Sequence, residues 1–334
     1  MIHGNTLEHR LAQVTAAAAF LLLMAGGLVN PTGSSLACPE ALVVCHGQLF
    51  PEMKGGVLFE HGHRLLAMTV GFLQLGLTIL LLRRRPALRG WAGAALGLVV
   101  VQALLGALTV KLELPWFIST AHLMVAMSYF ALVLNLVWRT RPARGGEKAD
   151  RAERSHLRRW IALGGAAVLL QILLGGLVRH SGAALASIQL PLHDGQLWPS
   201  GAPFALQLHI AHRLAGVAVG LTAIVASLAV FRAAGRDSVR LRLAALAVPL
   251  VVVAQVTLGI LVIAMFRSVP IVMAHFGGAA LLWGLFSAMW LMTGGAEAAA
   301  RRARPGATPE SVSRRRSEAS RDPAGHPWPS RSIP

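Results

Sequence analysis

Glu60-His61-Gly62-His63-Arg64 lies in one apolar stretch, and His209-Ile210-Ala211-His212-Arg213 lies in another, 149 positions later. Each run is followed by one more histidine in an apolar setting, in Ala121-His122-Leu123 and in Ala274-His275-Phe276. Working outward, Gly26-Gly27-Leu28-Val29 aligns with Gly175-Gly176-Leu177-Val178. Gly47-Gln48-Leu49-Phe50-Pro51 aligns with Gly195-Gln196-Leu197-Trp198-Pro199, and Gln102 with Gly106 aligns with Gln255 and Gly259. The repeating unit is four helices long, which predicts an all-α protein built as two pseudo-symmetric four-helix bundles. An even number of helices per unit brings both copies in from the same side. The repeats are then parallel, related by an axis near the membrane normal.

Composition sets the solvent. Of the 334 residues 55% are hydrophobic and 13% charged, the balance of an integral membrane protein. Eight spans are expected, at roughly 11–29, 57–82, 90–110, 117–138, 160–179, 205–231, 242–265 and 269–293. Each is about long enough to cross ~30 Å of hydrocarbon at 1.5 Å per residue. The net charge of +17 is a topology signal rather than a nucleic-acid footprint. On an eight-span reading 25 of the 31 Lys and Arg fall on one side. The other side holds Lys54, Arg64, Lys111, Arg179, Arg213 and Arg267. The positive-inside rule then places both termini in the cytoplasm of a cell inner membrane.

The first span resembles a signal peptide, and Ser35-Leu36-Ala37-Cys38 a lipoprotein box. Ser is a poor first residue for that box and the span has a repeat partner, so it is read as a retained helix. The expected organisation is a cytoplasmic N-terminus (1–10), a first bundle (11–138), a basic cytoplasmic linker (139–159), a second bundle (160–293) and a disordered tail (294–334) rich in Arg, Ser, Pro and Ala.

An ionisable residue inside a membrane is costly and marks function by default. A single histidine is equally well explained by an interhelical hydrogen bond, but four at repeat-equivalent places favour ligands. Neutral imidazoles on facing helices suit the two faces of a heme iron. Gly62, Gly71, Ala121 and Ala126 leave room for a flat apolar ligand. Zinc is less apt, because no tetrahedral set of Cys and acidic ligands converges. His63 with His122, and His212 with His275, are the expected axial pairs, both toward the outer face. Arg64 and Arg213 either pair with heme propionates or snorkel to the interface. Glu60, three residues before His63, shares its helix face and is the candidate acid–base or cation-stabilising group. His209 takes its place in the second half and is read as structural. His61 points about 100° from Glu60 and stays outside the site. His46, His180 and His193 are expected in solvated outer loops.

Cys38 and Cys45 are the only cysteines, both in the first outer loop. That side of the membrane is oxidising, so a disulfide is allowed. An exposed bridge there would be labile and redox-active; a purely structural bridge is the equal alternative. Ser187 and His193 hold the corresponding places in the second loop.

With these residues in view, the chain resembles the heme A synthase family over about residues 11–293. The resemblance rests on Glu60 to Arg64, His212-Arg213, His122, His275 and the Cys38/Cys45 pair. It implies eight transmembrane helices and oxidation of the C8 methyl of heme O to a formyl group, giving heme A for terminal oxidases. It implies heme O as substrate between His63 and His122 with Glu60 as catalytic residue, and an iron-bearing heme b cofactor between His212 and His275 for electron transfer. A heme O synthase, cytochrome oxidase assembly factors and an electron acceptor or donor of unknown identity are the implied partners. Some members carry a second cysteine pair, which this chain lacks. Two other functions compete: a di-heme electron-transfer cytochrome b, disfavoured because all four ligands lie toward one face, and a heme-binding transporter or chaperone, which needs no acid–base residue.

Overall fold

A backbone in hydrocarbon must satisfy its own polar groups, so apolar runs of this length become helices. The computed structural model describes residues 7–40, 43–142, 151–235 and 238–302, with only the helical backbone for 151–155 and 295–302. It contains eight long helices: α1 Leu7–Val29, α2 Gly55–Arg84, α3 Arg89–Lys111, α4 Trp116–Thr140, α5 Arg151–His180, α6 Phe204–Ala233, α7 Val239–Ala264 and α8 Val269–Arg302. All eight contain windows long and apolar enough to cross a membrane. The protein is an all-α, multi-pass membrane protein. Residues up to Thr293 form one compact unit.

Two helices outrun their expected spans. α5 begins at Arg151 rather than near 160, and α8 continues to Arg302 rather than ending near 293. Apolar length finds the part of a helix that sits in lipid, whereas Ala, Arg and Glu continue a helix beyond it. The rest of the expected linker and tail, 143–150 and 303–334, lies outside the described residues.

In the first half α1 packs on α2 and α4, while α3 packs on α2 and α4. In the second half α6 packs on α5 and α7, and α4 meets α5 across the middle. A Cβ on Gly27 of α1 would lie 2.8 Å from Phe276 of α8, so only glycine admits that contact. A Cβ on Gly176 of α5 would lie 3.0 Å from Leu123 of α4. The Trp283 indole N–H donates to the Met127 carbonyl at 2.9 Å, tying α8 to α4. Small residues thus let the helices approach, the usual basis of packing in lipid. Below the histidines, the Tyr129 hydroxyl donates to Gln74 Oε1 (3.2 Å) and Gln74 Nε2 to Thr78 Oγ1 (3.0 Å).

The connecting loops come in matched forms. His46-Gly47 and Asp194-Gly195 each place two consecutive residues at positive φ. Both turns close isolated bridges, Cys45 with Gln48 and His193 with Gln196. Two positive φ values in a row are the signature of a type I′ turn, and glycine at the second place relieves it. The α3–α4 turn (Glu113, Leu114) and the α7–α8 turn (Phe266, Arg267) also carry paired positive φ.

Phe286, 1% exposed, packs directly against Gly164 of α5. Gly164→Ala should lower stability by about 1–3 kcal/mol through overpacking. The double variant Gly164→Ala/Phe286→Leu should recover most of it, as read from thermal unfolding in detergent.

Candidate functional site

The two histidines of the first half, from α2 and α4, open into one cavity of about 510 Å³. Its wall takes Gly26 and Gly27 from α1 and Asn30 just beyond its end, Glu60, His63 and Arg64 from α2, and Gln102 and Gly106 from α3. His122 and Tyr129 come from α4, Arg179 and His180 from α5, and Phe276 from α8. That volume and this mostly apolar wall with a few polar groups suit a large organic ligand. His63 and His122 lie within electrostatic reach of one another, as do His212 and His275 in the second half.

Each of these four histidines is seated against a glycine of the preceding helix. A Cβ on Gly26 would lie 2.7 Å from His63 Cε1, and one on Gly106 3.3 Å from His122 Cε1. On Gly175 it would lie 3.0 Å from His212 Cε1, and on Gly259 3.4 Å from His275 Cε1. The Nδ1 atoms of His63, His122 and His275 are buried without a hydrogen-bond partner. His212 Nδ1 differs, with Gln171 Nε2 at 3.0 Å, and the same amide donates to the His212 carbonyl at 2.9 Å.

Glu60 is 4% exposed and both its oxygens are used. Oε2 accepts the Cys38 N–H at 2.9 Å, and Oε1 accepts from Arg64 Nη2 at 2.6 Å. Arg64 also donates to the carbonyls of Glu40 (2.6 Å), Val44 (3.0 Å) and Cys38 (3.1 Å). Four of its five N–H groups are therefore spent on the loop and on Glu60. Of the two sequence readings for Arg64, propionate partner or snorkelling cation, the geometry adds a third: it pins the first loop. Arg213 does the same in the second half, donating to the carbonyls of Gln189 at 2.7 Å and of Ser187. His209 stands where Glu60 does, with Nδ1 accepting the Ser187 N–H at 3.3 Å and Nε2 3.4 Å from Arg213 Nε.

Cys38 and Cys45 form a disulfide. Both are 0% exposed, which corrects the expectation of an exposed, labile bridge. The loop folds over them because Arg64 and Glu60 draw its carbonyls and the Cys38 amide down onto α2. In the second loop Ser187 Oγ and His193 Nδ1, 3.0 Å apart, occupy the matching places. His193 is therefore a loop tie rather than a solvated residue. His61 is fully buried under the first loop, its Nε2 2.9 Å from the Leu49 carbonyl, and does not line the cavity. His46 is exposed on the turn. Glu40 caps that turn, and hydrogen bonds from its own backbone N–H and those of His46 and Gly47 hold its carboxyl below the usual value.

His180 departs furthest from expectation. It ends α5, lines the cavity and has its Nδ1 3.2 Å from Thr120 Oγ1. Arg179, beside it, was likewise passed over. The sequence held one signal: His180 follows Gly176 by four residues, so it shares the helix face that meets α4.

The fold and site define an all-α, multi-pass membrane protein with a histidine pair in each half and one large cavity at the first pair. The family model of the COX15-CtaA family, described as cytochrome oxidase assembly protein, matches residues 48–287. The chain belongs to that family. It is 26% identical to the heme A synthase of Shouchella clausii over 264 residues, covering 78% of this chain and 87% of the relative. It is 30% identical to that of Chelativorans sp. over 279 residues, 77% of this chain and 75% of the relative. To that of Shewanella oneidensis it is 30% identical over 315 residues, 81% and 92% of the two chains.

The glycine seats generate a graded expectation. Gly26→Ala should drive His63 from its place and lower stability by about 1–3 kcal/mol through overpacking. Gly106→Ala, with a Cβ 3.3 Å from His122, should lower it less. Thermal unfolding in detergent measures both.

Proposed function

We propose that this chain is a heme A synthase, converting the C8 methyl of heme O to the formyl group of heme A. The observation that carries the reading is the single cavity into which His63 and His122 open, with Glu60 in its wall, in a chain of the COX15-CtaA family. The two bundles, 11–138 and 160–293, form a pseudo-symmetric pair. The matched loops, the glycine seats and the equivalent contacts of Gly27 and Gly176 support that arrangement. The loops over the sites face outward and both termini lie in the cytoplasm, in line with the bias of basic residues.

Heme O is the substrate of the first cavity, held between His63 and His122. Glu60 is the catalytic residue: a carboxylate fixed by Arg64 and the Cys38 amide, one helical turn before His63. From there it holds a proton released from the methyl carbon or balances positive charge on the macrocycle. The first loop, tied down by its buried disulfide and by Arg64, shields Glu60 from bulk water. The change from methyl to aldehyde is a four-electron oxidation that adds one oxygen: with water as its source (R–CH3 + H2O → R–CHO + 4 H+ + 4 e−) an external electron acceptor takes part, and with dioxygen as its source in successive hydroxylations an external donor does. His212 and His275 would hold a resident heme b, because the two imidazoles lie within electrostatic reach of one another and His275 Nδ1 is buried and unpartnered. Such a heme supplies one-electron transfer. Gln171, whose amide lies 3.0 Å from His212 Nδ1, would hold that ring in place. A heme O-producing enzyme and cytochrome oxidase assembly factors are the partners this role requires.

Pigment extraction and mass analysis after co-expression with a heme O supply tests the proposal. Formyl heme should appear with the wild-type chain and vanish in His63→Ala and His122→Ala. Glu60→Gln keeps an acceptor for the Cys38 N–H, so the loop should stay closed while conversion falls by about 10²–10⁴-fold. Full conversion by Glu60→Gln would overturn the catalytic role of Glu60. No formyl heme from the wild type would overturn the assignment.

A further inference from the structure

Arg179 is a cation in a place that asks for an anion. It lies at the end of α5, in the second half of the sequence, yet it lines the cavity of the first half. One terminal N–H donates to the Gly27 carbonyl, beside Gly26, on which His63 rests. Its guanidinium stands 5.4 Å from the centre of the Phe276 ring, another wall residue. Its Nε is buried and has no hydrogen-bond partner. Among the described residues no carboxylate pairs with it; the one acid of the cavity wall, Glu60, is taken by Arg64. A guanidinium whose Nε is shut away from solvent without a counter-ion is expensive. The fold keeps one here, on the wall of a ligand-sized cavity.

The duplication sharpens the point. The residue that matches Arg179 in the first half is Asn30, which is neutral. Asn30 also lines the first cavity, and Arg267 from the α7–α8 turn approaches its Oδ1 at 3.4 Å. Positive charge from the second half thus gathers at one rim of the first cavity.

Resting on the reading of that cavity as a heme O site, we propose that Arg179 is the anchor for a carboxylate of the substrate, so that the first site is completed by a residue from the second half. A propionate carboxylate reaching this rim receives the free Nε–H of Arg179 and cancels its charge. Arg64, for which propionate pairing and snorkelling are the two readings from sequence, has its terminal N–H groups committed to the loop and to Glu60. A carboxylate on the macrocycle and a phosphate from a lipid headgroup share this chemistry, and the commitment is to the carboxylate.

Titration of the full-length protein with hemin and with hemin dimethyl ester, followed by Soret absorbance, tests it. Binding at the first site is isolated as the part lost in His63→Ala. The wild type should prefer hemin to the ester by roughly tenfold or more, as for a charge-assisted hydrogen bond. Arg179→Gln should weaken hemin to the level of the ester and leave the ester unchanged, and Arg179→Lys should keep part of the preference. Equal weakening of both ligands would assign Arg179 to packing on Gly27 and Phe276 and overturn the proposal. So would a wild type that binds hemin and ester alike, which leaves the cation to a lipid phosphate or to solvent. If His63→Ala removes no binding of either ligand, the heme-site reading itself fails and takes this proposal with it. Retained His63-dependent binding without discrimination overturns the Arg179 assignment alone.

Discussion

An imidazole resting on a glycine is the contact on which the rest of this protein depends. Each of the four histidines is presented by one helix and supported by a bare backbone on the next. In hydrocarbon, helices gain little from apolar burial against one another, so close approach decides which pairs associate. The glycines allow that approach and at the same time set the ring edge. With Cε1 and Nδ1 against the neighbouring helix, ring rotation is limited by backbone rather than by a mobile side chain. This constrains helix spacing and histidine orientation together at Gly26, Gly106, Gly175 and Gly259 alike.

The second constraint lies in the loops. Arg64 and Arg213 draw loop carbonyls onto the ends of α2 and α6, and Glu60 and His209 receive the loop amides. A loop that must cross above a cavity has backbone groups to satisfy, and an arginine with five donors satisfies several at once. The same positions that look catalytic in sequence are thus also structural. Glu60 carries both tasks, holding the Cys38 amide with one oxygen and Arg64 with the other while facing the cavity.

The fold was legible because lipid leaves few alternatives. Eight apolar runs became eight helices, and His63, Glu60 and His122 could be placed together from topology and helix period alone. Helix ends were less legible, since α5 and α8 continue through charged and Ala-rich segments that hydropathy does not count. His180 and His193 depart from the solvated reading for a common reason. A polar residue near a span boundary reads as solvated, and only tertiary packing shows that α5 ends against the first cavity. The burial of the disulfide was equally invisible, because it depends on Arg64 reaching across the loop rather than on anything near Cys38 and Cys45 in sequence.

The unequal halves follow a physical logic on the proposed reading. The first loop is held by a disulfide, by a charged pair at 2.6 Å and by an amide-to-carboxylate bond at 2.9 Å. In the second, Arg213 holds loop carbonyls as Arg64 does in the first, but the disulfide and the carboxylate bonds give way to a Ser–His contact at 3.0 Å and to longer contacts to a histidine at 3.3 and 3.4 Å. Charge-assisted bonds are the shorter and stronger class. A half that keeps a resident heme draws stability from that ligand, because anything that binds only the folded state stabilises it. A half whose ligand arrives and leaves has no such support between turnovers and must hold its cavity open by its own bonds. The stronger cover over the first cavity is what a substrate site requires, and the lighter cover over the second is sufficient for a site that stays filled.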